Sequence, residues 1–279
     1  MKTRIVVDST ADLPKALKQR LSIVPMSILF GDAEYVDGVT IDHRSFYEKL
    51  IESDVLPTTS QPSPEAFAKV FEEAKRNGES VVVLTVSSKL SGTYQSACIA
   101  AQEYENVYVV DGKSVAIGTG ILAELALDMA ERGMDAASIA REMESERENV
   151  RLIAMLDTLE YLKRGGRISK TVAFAGSLLS IKPVVCIAEG EIQILGKARG
   201  SRQGNNLLIR EIENAGGVDF DKPLLLGYTG LSDLLLRKYI VDSASLWEGN
   251  VPRLNATPVG SVVGTHAGPG AIAVAFFKK

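Results

Sequence analysis

The sequence predicts an α/β chain with two parts: an N-terminal three-layer domain around a parallel sheet, and a C-terminal α/β domain around a mixed sheet. Three observations lead there. Apolar, β-branched runs such as Val81-Val82-Val83-Leu84-Thr85-Val86 are the mark of parallel strands buried on both faces. In the first half such runs alternate with helical stretches, as βαβ units require. In the second half several strands follow one another directly, which suits a mixed sheet.

In the first half the expected strands are 4–8, 22–29, 81–86 and 107–111. The expected helices are 14–20, 43–52, 64–77, 94–104 and 118–132, and Asp135 to Arg147 closes this half. The helix at 64 has its start written out: Ser63 suits the N-cap, Pro64 the first helical position and Glu65 the acidic first turn. Beyond it come a strand at 151–155, a short helix at 158–163, a basic turn at 163–170 and an apolar helix at 171–179. Strands at 183–188 and 191–197, a helix at 202–214, and strands at 223–228, 252–258, 261–265 and 271–277 complete the chain. With no long linker or repeat, the expected division is 1–150 and 151–279, two closely packed units.

Composition removes several function classes. A net charge of −4 argues against general nucleic-acid binding, which needs a basic face. The apolar runs are far short of the roughly 20 residues of a membrane span. The N-terminus enters a strand directly, without an apolar signal segment, so a cytoplasmic location is expected. Cys98 and Cys186 sit in apolar stretches and read as packed core thiols. His43 and His266 are the only histidines, and no metal-ligand spacing surrounds them.

What chemistry there is concentrates in three hydroxyl-rich loops. Ser87-Ser88-Lys89-Leu90-Ser91-Gly92-Thr93 joins a strand's carboxyl end to a helix, the edge where open α/β sheets place ligands. Asp8-Ser9-Thr10-Ala11-Asp12 follows the first strand in the same way, and Thr58-Thr59-Ser60-Gln61-Pro62-Ser63 precedes a helix. Backbone N–H groups and hydroxyls at such a place suit an anionic oxygen, and the Ser87 loop holds no strong base. Each loop alone is equally explained by helix capping; three together favour one shared polar site.

His266 lies in a glycine-rich turn, Gly264-Thr265-His266-Ala267-Gly268-Pro269-Gly270, where it can donate to an anion or simply cap the turn. Two basic groups, Lys163-Arg164-Arg167-Lys170 and Lys197-Arg199-Arg202, suit either a phosphate-bearing partner or a solvated face. The apolar helix 171–179 is either plain core or the wall of an elongated cavity. Gly118-Thr119-Gly120 matches the loose dinucleotide pattern without its preceding strand. No P-loop or G-x-S-x-G elbow is present.

Taken in order, six segments resemble the DegV family of bacterial proteins. They are Val7 to Pro14, Thr59 to Ser63, Ser87 to Ala97, Tyr161 to Ile168, Ile181-Lys182-Pro183 and His266 to Gly270, and they span the chain. The resemblance implies one long-chain fatty acid buried in an apolar tunnel between the two domains. It implies a non-enzymatic role, presenting the acid's carboxyl group to a separate ATP-binding fatty acid kinase subunit. The acyl phosphate formed would feed phospholipid synthesis. Within the matching motifs, Thr59 and Ser91 are expected to hydrogen-bond the carboxylate, with the Gly92 N–H as a third donor. His266 is expected to orient the head group or assist phosphoryl transfer, and Arg167, Arg199 and Arg202 to dock the partner. No metal and no cofactor other than the lipid is implied. Two other classes use the same hydroxyl site: an enzyme in its own right, such as an acyl hydrolase or small-molecule kinase, and a lipid-responsive regulator.

Overall fold

In the computed structural model, which describes residues 2–168, 181–247 and 249–279, the chain opens with β1 (Thr3–Asp8). Alternation fixes where this strand's side chains go. Ile5 and Val7 pack on one face of the sheet and Val6 on the other, so both faces need cover. After α1 (Lys15–Lys18) come β2 (Ser22–Val24), β3 (Ser27–Phe30), β4 (Ala33–Val36), α2 (His43–Glu52) and β5 (Thr58–Ser60). Then follow α3 (Pro64–Arg76), β6 (Ser80–Thr85), α4 (Thr93–Ala101), β7 (Val107–Asp111), α5 (Ile117–Glu131) and α6 (Ala136–Glu146). The rest comprises β8 (Val150–Met155), α7 (Glu160–Arg164), β9 (Ile181–Ala188), β10 (Glu191–Arg199), α8 (Gly200–Asn214), β11 (Leu225–Tyr228), α9 (Leu234–Asp242), β12 (Asn255–Pro258), α10 (Ser261–Ala267) and β13 (Ile272–Phe277).

The first sheet is parallel throughout, in the order β2-β1-β6-β7. Phe67 and Phe71 of α3 and Ala97 of α4 cover the Val6 face; α5 and α6 cover the other. A second, mixed sheet has the order β10-β9-β8-β13-β11-β12. Its Leu152, Leu225, Ala275 and Phe277 share a core with Ile117 and Ile121, so α5 lies between the two sheets. On its far side Ile153, Val274 and Phe276 meet Leu208 of α8 and Tyr239 of α9. The α/β reading, a parallel sheet followed by a mixed one, therefore holds.

Four local expectations give way. The run 22–29 is two strands: Pro25 has no N–H to continue a ladder, and the chain crosses from β2 into a separate antiparallel sheet, β4-β3-β5. Residues 261–265 form helix α10 instead of a strand. The helix at 14–20 shrinks to the single turn α1, and α9 was not anticipated. Cys98 and Cys186 are free but only half-buried. The expected apolar helix 171–179 lies outside the described residues, as does Lys170.

The Gly118-x-Gly120 pattern has a packing explanation. A Cβ at 120 would lie 2.2 Å from the Asp12 carbonyl oxygen, and one at 118 would lie 2.1 Å from Ser114 Oγ. Both glycines let α5 press against the loops after β1 and β7.

Candidate functional site

A cavity of about 930 Å³, counting its open mouth, lies between α10, the hydroxyl loops and the inner face of the mixed sheet. Most of its wall is aliphatic, with Val115, Leu152, Val185, Ile187, Ile192 and Ile272 among the lining side chains. Polar side chains on the wall include Thr10, Thr59, Ser91, Arg167, Thr229 and His266.

Each hydroxyl loop contributes one hydroxyl residue to the wall, and its other polar groups hold the loop in place. Asp8 is buried and accepts from Thr10 N at 2.9 Å, Thr10 Oγ1 at 2.6 Å and Val86 N at 2.7 Å, joining the first loop to the end of β6. Ser9 Oγ accepts from Met26 N at 3.1 Å. In the third loop Ser87 Oγ donates to the Gly190 carbonyl at 2.7 Å, and Ser88 bonds Asp111. Ser91 Oγ reaches the cavity and lies 2.9 Å from Thr93 Oγ1. Gly92 opens α4, and there a Cβ would lie 2.3 Å from Gln61 Oε1, so the close neighbour it admits is the Gln61 side chain.

Thr59 lies on β5 and His266 in the last turn of α10, yet Thr59 Oγ1 and His266 Nε2 are 3.0 Å apart. Burial, helped by the positive charge of Arg167, pulls the His266 pKa down to about 4, so the ring is neutral near pH 7. Among the described residues Nδ1 has no hydrogen-bond partner, and it sits over Gly165, where a Cβ would lie 2.2 Å away. A stranded N–H is rarer than a stranded acceptor, which favours the tautomer with its proton on Nε2. His266 then donates to Thr59, and the Thr59 hydroxyl proton is free for a ligand oxygen.

Arg167 belongs to the cavity. Its Nε donates to the Leu90 carbonyl at 3.1 Å and its Nη1 to the Gly165 carbonyl at 2.7 Å. Among the described residues no carboxylate pairs with it, and burial holds its guanidinium below the ordinary arginine value. Arg199 and Arg202 are elsewhere: both are exposed, at the end of β10 and the start of α8. Thr10 was part of a recognised loop but not singled out as a wall residue. Its signal was its place at the carboxyl end of β1. Among the described residues no cluster of His, Cys, Asp and Glu is arranged to hold a metal ion, and no helix is long and apolar enough to cross a membrane.

A family model described as "uncharacterised protein, DegV family" matches residues 2–279. The chain belongs to the DegV family. A DegV domain-containing protein of Caldanaerobacter subterraneus is 34% identical over 283 residues, covering 100% of this chain and 99% of its own. Among solved structures, a DegV protein from Thermus thermophilus described by its fatty acid binding is 33% identical with a TM-score of 0.87, covering 99% of this chain and 100% of that one. A stearic-acid-binding protein from Eubacterium ventriosum is 26% identical with a TM-score of 0.86, covering 99% of this chain and 98% of that one. The DegV fold thus includes fatty-acid binders over its full length, and the cavity described above lies within that fold.

Proposed function

We propose that this DegV protein binds one long-chain fatty acid in the cavity and presents its carboxyl group to a separate ATP-binding kinase subunit. One observation carries the reading: a largely aliphatic cavity whose wall also carries Thr59, Ser91, neutral His266 and an arginine that has no carboxylate partner among the described residues. An aliphatic wall favours an acyl tail by about 0.8 kcal/mol per buried methylene. A carboxylate taken from water needs donors, and the Thr59 and Ser91 hydroxyls supply them, with the N–H of Gly92, which follows Ser91 outside the cavity lining, as a further candidate. Arg167 balances the ligand's negative charge, and His266 orients Thr59.

In this reading residues 1–150 form the domain that holds the head group and residues 151–279 the domain that covers the tail. The protein itself has no catalytic residue. The kinase subunit brings ATP and transfers its phosphoryl group to the presented carboxylate, and the acyl phosphate goes on to phospholipid synthesis in the cytoplasm. Exposed Arg199 and Arg202, away from the cavity, are the candidates for docking that acidic, phosphate-bearing partner, and Arg167 would meet it only at the cavity itself.

Mass spectrometry of small molecules extracted from the natively purified protein tests the binding. One equivalent of a long-chain fatty acid is expected. An empty protein that also takes up no added fatty acid would overturn the reading. Presentation is tested separately: acyl phosphate should form only when an ATP-binding kinase subunit joins the lipid-loaded protein. Hydrolysis of ATP or acyl esters by the chain alone would point instead to an enzyme.

A further inference from the structure

Helix α10 carries His266 and packs its later turn against Tyr161 of α7, but the start of α10 is held from the N-terminal half. Asp12 Oδ1 accepts from the Gly260 N–H, just ahead of the helix, at 2.9 Å across 248 positions. Asp37 lies beside the same turn, its Oδ2 3.8 Å from where a Cβ at Gly260 would stand, with Ser9 and Ser261 as neighbours that favour its charged form. Both carboxylates are buried, at 0% and 7% exposure. Lys18 Nζ stands 3.7 Å from Asp12 Oδ1, and Asp12 Oδ2 has no hydrogen-bond partner among the described residues. Farther along, Gly264 lets α10 lie against α2: a Cβ there would lie 2.4 Å from Tyr47 Oη and 2.8 Å from Phe46 Cε1. Tyr47 Oη and a His43 ring nitrogen both reach the Val259 carbonyl, at 3.3 and 3.0 Å.

Burying two carboxylates near each other is costly, and a neutral hydroxyl pair would join the halves at less expense. What carboxylates add is a strong, directional hold on the N–H groups at a helix start. His266 is six residues from Gly260, about 9 Å along the axis. A small tilt at the start of α10 therefore moves the imidazole by an appreciable part of an ångström. That is enough to break a bond that needs about 2.7–3.2 Å.

We propose that Asp12, with Asp37 beside it, is a positioning residue for the head-group site, clamping the start of α10 so that His266 Nε2 meets Thr59 Oγ1. The proposal rests on the reading of His266 as part of that site.

With only two histidines in the chain, ring ¹⁵N–¹H spectra of the full-length protein resolve His266 directly. The wild type should show a neutral Nε2–H ring that titrates at about 4. Asp12→Ala should release it, mixing the tautomers and moving its titration toward the ordinary value of about 6.5. Asp12→Asn, which keeps an acceptor for the Gly260 N–H, should restore the wild-type signal. A folded Asp12→Ala protein with His266 unchanged would overturn the clamp. Should that variant not fold, Asp37→Ala carries the same readout. If neither folds, a displaced His266 signal in Asp12→Asn overturns it.

Oleate titrations run beside the spectra separate this proposal from the head-group reading. Displaced His266 with about tenfold weaker oleate binding supports both. Weaker binding at an unchanged His266 signal overturns the clamp and leaves the head-group reading standing. Displaced His266 at full oleate affinity supports the clamp and removes His266 from the head group.

Discussion

Thr59 and His266 are 207 positions apart, yet a 3.0 Å hydrogen bond joins them across the cavity wall. The contact ties β5, an edge strand of the small sheet, to the last turn of α10. The unpartnered Nδ1 favours a proton on Nε2. With the ring neutral and donating through Nε2, the threonine oxygen is occupied and its own proton is left for another acceptor. Removing either partner therefore alters both.

Thr59→Val keeps the shape of the side chain and removes both roles of the hydroxyl. A hydrogen bond to a charged group contributes about 1.5–3 kcal/mol, so fatty-acid affinity should fall by about tenfold or more. Thr59→Ser keeps the hydroxyl and should retain most of the affinity. Isothermal titration with a fatty acid measures both; equal affinities for Val and wild type would remove Thr59 from the head group.

His266 makes stability depend on pH in a definite direction. Its folded pKa of about 4 lies below the ordinary 6.5, so between these values the unfolded chain binds the extra proton. The ring's contribution is intact above about pH 6.5 and is lost as pH falls toward 4. Discounted for the part of the ring that stays accessible, the loss is about 2–3 kcal/mol. Denaturant unfolding of wild type and His266→Asn at pH 7.5 and about pH 4.5 should show the variant losing less stability on acidification. Parallel losses would place the ring's titration near its ordinary value.

Much of this was legible in the sequence, for a physical reason. Strands β1 and β6 announce themselves by apolar β-branched runs, and their carboxyl ends in a parallel sheet fall on one edge. That edge brings Thr10 and Ser91 to one cavity, where Thr59 joins them. Partners distant in sequence decided what was missed. Val262, Val263 and Thr265 favour a strand locally, but Asp12 holds the Gly260 N–H just before Ser261, and Gly264 must fit against Tyr47, so the segment is helical. The local basic run around Arg167 gave no sign that its side chain turns inward to the Leu90 carbonyl.

Glu124 shows the opposite linkage. Burial and the neighbouring Asp128 charge raise its pKa to about 7, and Oε2 has no partner among the described residues. The folded state therefore holds the proton that the unfolded chain releases near pH 4.5. Its ionisation destabilises the fold increasingly as pH rises to about 7. Glu124→Gln should raise stability by about 1–2 kcal/mol at pH 8, after allowance for partial exposure, and by less than about 0.5 kcal/mol at pH 5. Thermal unfolding at the two pH values checks this; equal shifts at both would exclude an ionisation effect.

Ser87 acts on the other side of the cavity. Its hydroxyl donates to the Gly190 carbonyl at 2.7 Å and pins the turn between β9 and β10 to the loop after β6. Val185, Ile187 and Ile192 of that hairpin line the cavity. Ser87→Ala strands the carbonyl and should cost about 1–2 kcal/mol, felt first where the hairpin meets the loop. Hydrogen exchange should quicken by about tenfold in the β9–β10 turn and stay unchanged in β1 and β6. Ser91→Ala should do the reverse, weakening fatty-acid binding while leaving exchange at the turn as it was. Two serines four positions apart would thus separate cleanly, because one faces the ligand space and the other fastens its wall.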